Sequence, residues 1–88
     1  EITLSKEILA RYLGTYQFPH YSLKIVPEDK HLLAEFANGV TFPIFAELET
    51  KFFAKLWPVQ FEFSTDDHGQ WTVLTRYPGN KDEKGFKK

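Results

Sequence analysis

A mainly β fold, in which one short helix leads into a seven- to eight-stranded antiparallel meander curled into a small barrel or strongly bent sheet, follows from three features of the 88-residue chain. The apolar period changes from 3.6 to 2 after Gly14. Pro, Gly, Asn-Gly and Asp-rich turns then divide the chain into short pieces, and within those pieces apolar residues alternate with polar ones. A sheet that is apolar on one side gains most by curling until that side is enclosed. The chain reads as one domain, residues 1–88, with a helix at about 5–13 and strands over about 15–86.

Ser5 is placed to cap the helix, with Glu7 near the positive end of its dipole. Ile8, Leu9, Tyr12 and Leu13 supply one apolar face, and Gly14 stands where a helix commonly ends. The predicted strands are Thr15–Phe18, Tyr21–Val26, His31–Phe36, Val40–Phe45, Thr50–Lys55, Val59–Ser64, Gln70–Tyr77 and a weaker Glu83–Lys88. Tyr21, Leu23 and Ile25 point one way while Ser22 and Lys24 point the other; Val59, Phe61 and Phe63 oppose Gln60, Glu62 and Ser64 in the same manner. Asn38-Gly39 is a strong hairpin signal, and Asp66-Asp67-His68-Gly69 reads as a second tight turn. Tyr16, Leu23, Ile25, Phe61, Phe63 and Val73 are the expected core.

Nine Phe, four Tyr and two Trp are a heavy aromatic load for a chain with no Cys to staple it, and burying large rings is an economical way to offset chain entropy. A net charge of −1 lacks the basic footprint of a nucleic-acid binder. The longest nearly apolar run, Val40–Ala46, is broken by Thr41 and Pro43 and is far shorter than the ~20 residues of a membrane-spanning helix. Glu1–Glu7 has neither the basic start nor the apolar stretch of a signal peptide and reads as the start of a mature or excised piece.

No catalytic, cofactor-binding or metal-ligating residues are expected. His20, His31 and His68 have no spacing that would set two imidazoles on one metal. Ser5, Ser22 and Ser64 stand in no nucleophile motif, and Glu35, Glu47, Glu49 and Glu62 read as solvated carboxylates rather than an acid–base pair. The five Gly are scattered singly at turns and form no phosphate cradle. What remains is hydrophobic excess. Phe52 and Phe53 are consecutive on one strand, so alternation sends them to opposite faces and only one enters the core. The interface candidates are therefore Phe52, Phe53 and Trp57, centred on whichever phenylalanine points outward. The helix, through Ile8, Leu9 and Tyr12, is expected to cover part of the sheet's outer face.

Leu9-Ala10-Arg11-Tyr12-Leu13-Gly14-Thr15-Tyr16 resembles the L-x-x-Y-x-G-x-Y opening of the DUF3471 domain, and three later segments are similar to it in order: Phe42-Pro43-Ile44-Phe45-Ala46-Glu47, Thr50-Lys51-Phe52-Phe53, and Phe61-Glu62-Phe63-Ser64 with Asp66 and Gly69. The resemblance implies a lipocalin-like β domain without enzymatic activity of its own and without a cofactor. Such a domain serves as a C-terminal accessory module of β-lactamase-like or penicillin-binding-protein-type serine hydrolases, usually exported from bacteria. The implied partner is a serine hydrolase domain, in cis or in trans. The alternative is a stand-alone module holding a small apolar ligand, although the aromatic load argues for a filled interior. The closing Lys81–Lys88 departs from the family's apolar-rich ending, which makes the eighth strand the weakest of the set.

Overall fold

In the computed structural model, which describes residues 1–88, the chain forms one helix and eight antiparallel strands. They are α1 (Lys6–Ala10), β1 (Gly14–Gln17), β2 (Ser22–Glu28), β3 (His31–Phe36), β4 (Thr41–Ala46), β5 (Lys51–Ala54), β6 (Gln60–Thr65), β7 (Trp71–Arg76) and β8 (Glu83–Lys87). Each strand pairs with its sequence neighbour, and β8 returns to β1 to close a barrel. The eighth strand thus forms despite its lysines: Lys84 and Lys87 flank an inward Gly85, and the strand pairs with β7 from Thr72↔Phe86 to Thr75↔Glu83. Its closure onto β1 rests on Tyr16↔Lys87 and Gln17↔Phe86.

Alternation sets the core. Tyr16, Leu23, Ile25, Leu32, Ile44, Phe52, Phe61, Phe63 and Val73 are almost fully buried, and all six expected core residues are among them. The rings that fill the barrel form two groups. At the helix end, Tyr12 stacks on Phe63 with centroids 4.3 Å apart and meets Phe52 and Trp71 edge-on. Toward the other end, Phe18, Tyr21, Phe36, Phe42 and Phe61 follow one another at ring distances from 4.6 to 6.2 Å.

Three expectations are corrected. The helix is shorter than 5–13: Ser5 Oγ accepts from Ile8 N–H as its cap, but regular structure stops at Ala10. Tyr12 instead turns into the barrel, where its hydroxyl donates to the Glu49 carbonyl at 2.7 Å and its own carbonyl accepts from the Tyr16 hydroxyl at 3.0 Å. Satisfying those groups and burying the ring outweighs one more helical turn. Consequently α1 and Tyr12 plug an end of the barrel rather than covering its outer face. Finally, β2 continues through Pro27, which pairs with Leu32. The pairing of β1 with β2 ends at Ile25, so Pro27 has a neighbour on one side only, where its missing N–H is tolerated.

Candidate functional site

Because successive strands run in opposite directions, the C-terminal ends of odd strands and the N-terminal ends of even strands share the end of the barrel opposite α1. Tyr21, Phe36, Val59, Thr75, Tyr77 and Glu83 line the mouth there, around a cavity of ≈ 190 Å³. Tyr21 donates its phenol to Glu83 Oε1 at 3.1 Å. Burial first, and the Glu83 carboxylate second, push the phenol up to about 12. The mouth is smaller than the roughly 300–1,000 Å³ typical of ligand pockets.

A larger depression of ≈ 840 Å³ lies outside the barrel, between the β5–β6 loop and the β7–β8 loop. Its apolar lining includes Phe53, Trp57, Pro58 and Tyr77; Gln60, Arg76, Asn80 and Asp82 supply polar groups. The β6–β7 register, Gln60↔Arg76, is what brings the two loops side by side. Trp57 is 49% exposed and Tyr77 40%. Of the three interface candidates, the structure brings Phe53 and Trp57 to this groove and takes Phe52 away. Phe52 is 1% exposed and packs against Tyr12 and Phe63, because it lies on the inward parity of β5 with Ala54. Phe53 faces outward and pairs across the strand with Phe45, their rings 6.1 Å apart.

Charge in and around the groove is unevenly paired. Arg76 is shared between Glu62, at 2.8 Å, and Asp82, at 3.2 Å; the Glu62 carboxylate, with Asp82 after it, holds the guanidinium pKa above its ordinary value. Glu1, at the groove's edge, is bound by Lys55 at 2.8 Å. Glu47 lines the groove without an ion-pair partner. Sequence reasoning found Phe53 and Trp57 but missed Gln60, Arg76, Tyr77, Asn80 and Asp82, which join the site only through the register of the β6–β7 hairpin.

The hydroxyl groups have structural partners. Ser64 Oγ pairs with Thr72 Oγ1 at 3.1 Å, Ser22 donates to Gln17 Oε1, and Ser5 caps α1. Among the histidines, His31 contacts Glu28 at 3.0 Å and stacks near Phe45, while His20 and His68 occupy exposed turns. No three His, Asp or Glu side chains converge in a geometry for holding a metal ion. No helix is long and apolar enough to cross a membrane.

The family model described as "Domain of unknown function (DUF3471)" matches residues 1–87. The chain belongs to the DUF3471 family. No curated protein and no solved structure matches it. In this DUF3471 domain, the segments that carried the resemblance serve the barrel: Leu9, Tyr12 and Tyr16 form its plug and floor, Phe42 and Phe52 face the interior, and Phe61 and Phe63 complete the packed rings.

Proposed function

We propose that this DUF3471 domain is a non-catalytic accessory module that packs on a β-lactamase-like serine hydrolase domain, in the same polypeptide or in trans, and shapes access to it. The observation that carries the reading is the juxtaposition of Phe53 and Trp57 in a groove on the outside of a barrel whose interior is filled by its own rings. Exposed tryptophan and tyrosine beside a half-buried phenylalanine are the residue types that anchor protein interfaces. Barrel closure supports a side-chain dock, since it leaves few free strand edges to accept an added strand. The packed interior and narrow mouth weigh against the alternative, a small apolar ligand held inside.

Two measurements test the proposal. The chain alone leaves nitrocefin, p-nitrophenyl esters and D-amino-acid amides unhydrolysed; turnover abolished by Ser22→Ala or Ser64→Ala overturns the non-catalytic half. For the docking half, the reading frame encoding this chain, or a neighbouring one, contains an S-x-x-K hydrolase domain. The presence of this chain changes that domain's KM, and Trp57→Ala weakens the effect. A hydrolase domain indifferent to the chain overturns the docking half.

A further inference from the structure

The electrostatics of the groove identify the kind of segment it takes, an inference that rests on the docking reading above. Four carboxylates, Glu1, Glu47, Glu62 and Asp82, surround or line it against two cations, Lys55 and Arg76, and both cations are already engaged. Arg76 is held by two carboxylates at once, so one negative charge there is left uncompensated, and Glu47 adds a second. A partner presenting an acidic or strongly apolar segment would leave those carboxylates desolvated and unpaired, which is costly. A partner presenting a cation would neutralise them.

The aromatic lining points to the same chemistry. Trp57 and Tyr77 are wide, exposed ring faces in the groove that holds Glu47 and Asp82. Rings beside carboxylates suit a Lys or Arg side chain, whose methylene stem lies on the apolar face and whose head is drawn both to the ring quadrupole and to the acids. The fold already contains one such arrangement on its outer surface: Lys55 Nζ sits 4.1 Å from the Phe45 ring centroid and bonds Glu1. Pro58 and Pro78 stiffen the two loops that wall the groove, so little ordering is required of this chain on binding.

We infer that the groove between the β5–β6 and β7–β8 loops docks an extended segment of the partner domain bearing arginine or lysine, with its stem on Trp57 and its charge toward Glu47 and Asp82. The test uses the ¹⁵N-labelled chain and the probe peptide acetyl-(Pro-Arg)₃-amide. Its counterpart acetyl-(Pro-Glu)₃-amide and neutral cellohexaose serve as controls. The arginine peptide shifts the Trp57 indole N–H and the amides of Gln60, Tyr77 and Asn80, and leaves the Trp71 indole in place, because Trp71 packs on Tyr12 at the plugged end. Glu47→Gln and Trp57→Ala each weaken binding about two- to fivefold, and raising the salt weakens it further. Both side chains are exposed, and unchanged melting temperatures exclude misfolding as the cause.

Binding of the glutamate peptide or of cellohexaose at these residues in preference to the arginine peptide overturns the inference, as does arginine-peptide binding indifferent to Glu47→Gln and to salt. The inference and the docking reading fail separately. If the hydrolase domain responds to Trp57→Ala but not to Glu47→Gln, docking stands and the cation requirement falls. If the arginine peptide binds as described while the hydrolase domain does not, the cationic groove stands and the partner is another protein.

Discussion

Single residues in this barrel are constrained by what lies directly across the interior. Gly85 faces inward on β8, and the Phe18 ring rests on it so closely that an added Cβ would lie 2.7 Å from the ring's Cδ1. Gly85→Ala is therefore an overpacking change, expected to cost about 1–3 kcal/mol in urea denaturation. Phe18→Leu in the same chain recovers part of that loss, because the two positions share one space. Tyr21 gives a pH dependence whose sign is fixed. Its phenol titrates at about 12 in the fold against about 10 in an unfolded chain, so the folded state holds the proton more tightly. The contribution is fully present below the unfolded value and is lost as the pH rises through that interval. Burial raises Tyr12 and Tyr16 as well, so the wild-type alkaline decline is shared among them. The difference between wild type and Tyr21→Phe isolates the Tyr21 share, and Tyr21→Phe loses less stability than wild type between pH 10 and 12.

At the scale of elements, β5 shows how alternation gives neighbouring residues different fates. Phe52→Ala empties a site bounded by Tyr12 and Phe63 and costs about 3–5 kcal/mol in thermal melts. Phe53→Ala removes a cross-strand partner of Phe45 on the outer face, worth about 0.2–1 kcal/mol, and Trp57→Ala stays within about 0.5 kcal/mol. A loss at Phe53 or Trp57 as large as at Phe52 would make both residues core and remove the basis of the docking groove. Strands such as β3, whose His31–Phe36 bounds match those expected, were legible because half-burial prints a period of 2 on the sequence. The helix was legible in place but not in length. Tyr12 fits a helical spacing equally well as a continuation of α1 or as a plug, and only the Glu49 carbonyl, 37 residues away, decides between them.

For the whole molecule, enclosure was readable and the groove was not. A one-sided meander of this length predicts a barrel from its strands alone, whereas the groove depends on which strand position of β6 faces which of β7, a relation no local pattern encodes. Closure itself is the thinnest part of the architecture: two register pairs join β8 to β1, while β2 and β3 share six, from Leu23↔Phe36 to Glu28↔His31. Yet β8 supplies Gly85 as the seat of Phe18 and Glu83 as the acceptor of Tyr21, so its removal reaches the core. A chain ending at Lys81 leaves β1 and β7 with unpaired edges, Phe18 without its floor and the Tyr21 phenol without its partner. Exposed edges template association between chains, and loss of closure divides one cooperative unit into a bent sheet with an open core. Such a chain is expected to melt without a sharp transition and to elute from a sizing column as oligomers. Addition of a synthetic 82–88 peptide restores the monomer and part of the transition, because the missing strand carries few residues and its seat is otherwise preformed. A truncated chain that stays monomeric and melts as sharply as the full one would mean that β1–β7 suffice as an open sheet, with β8 only laid against it.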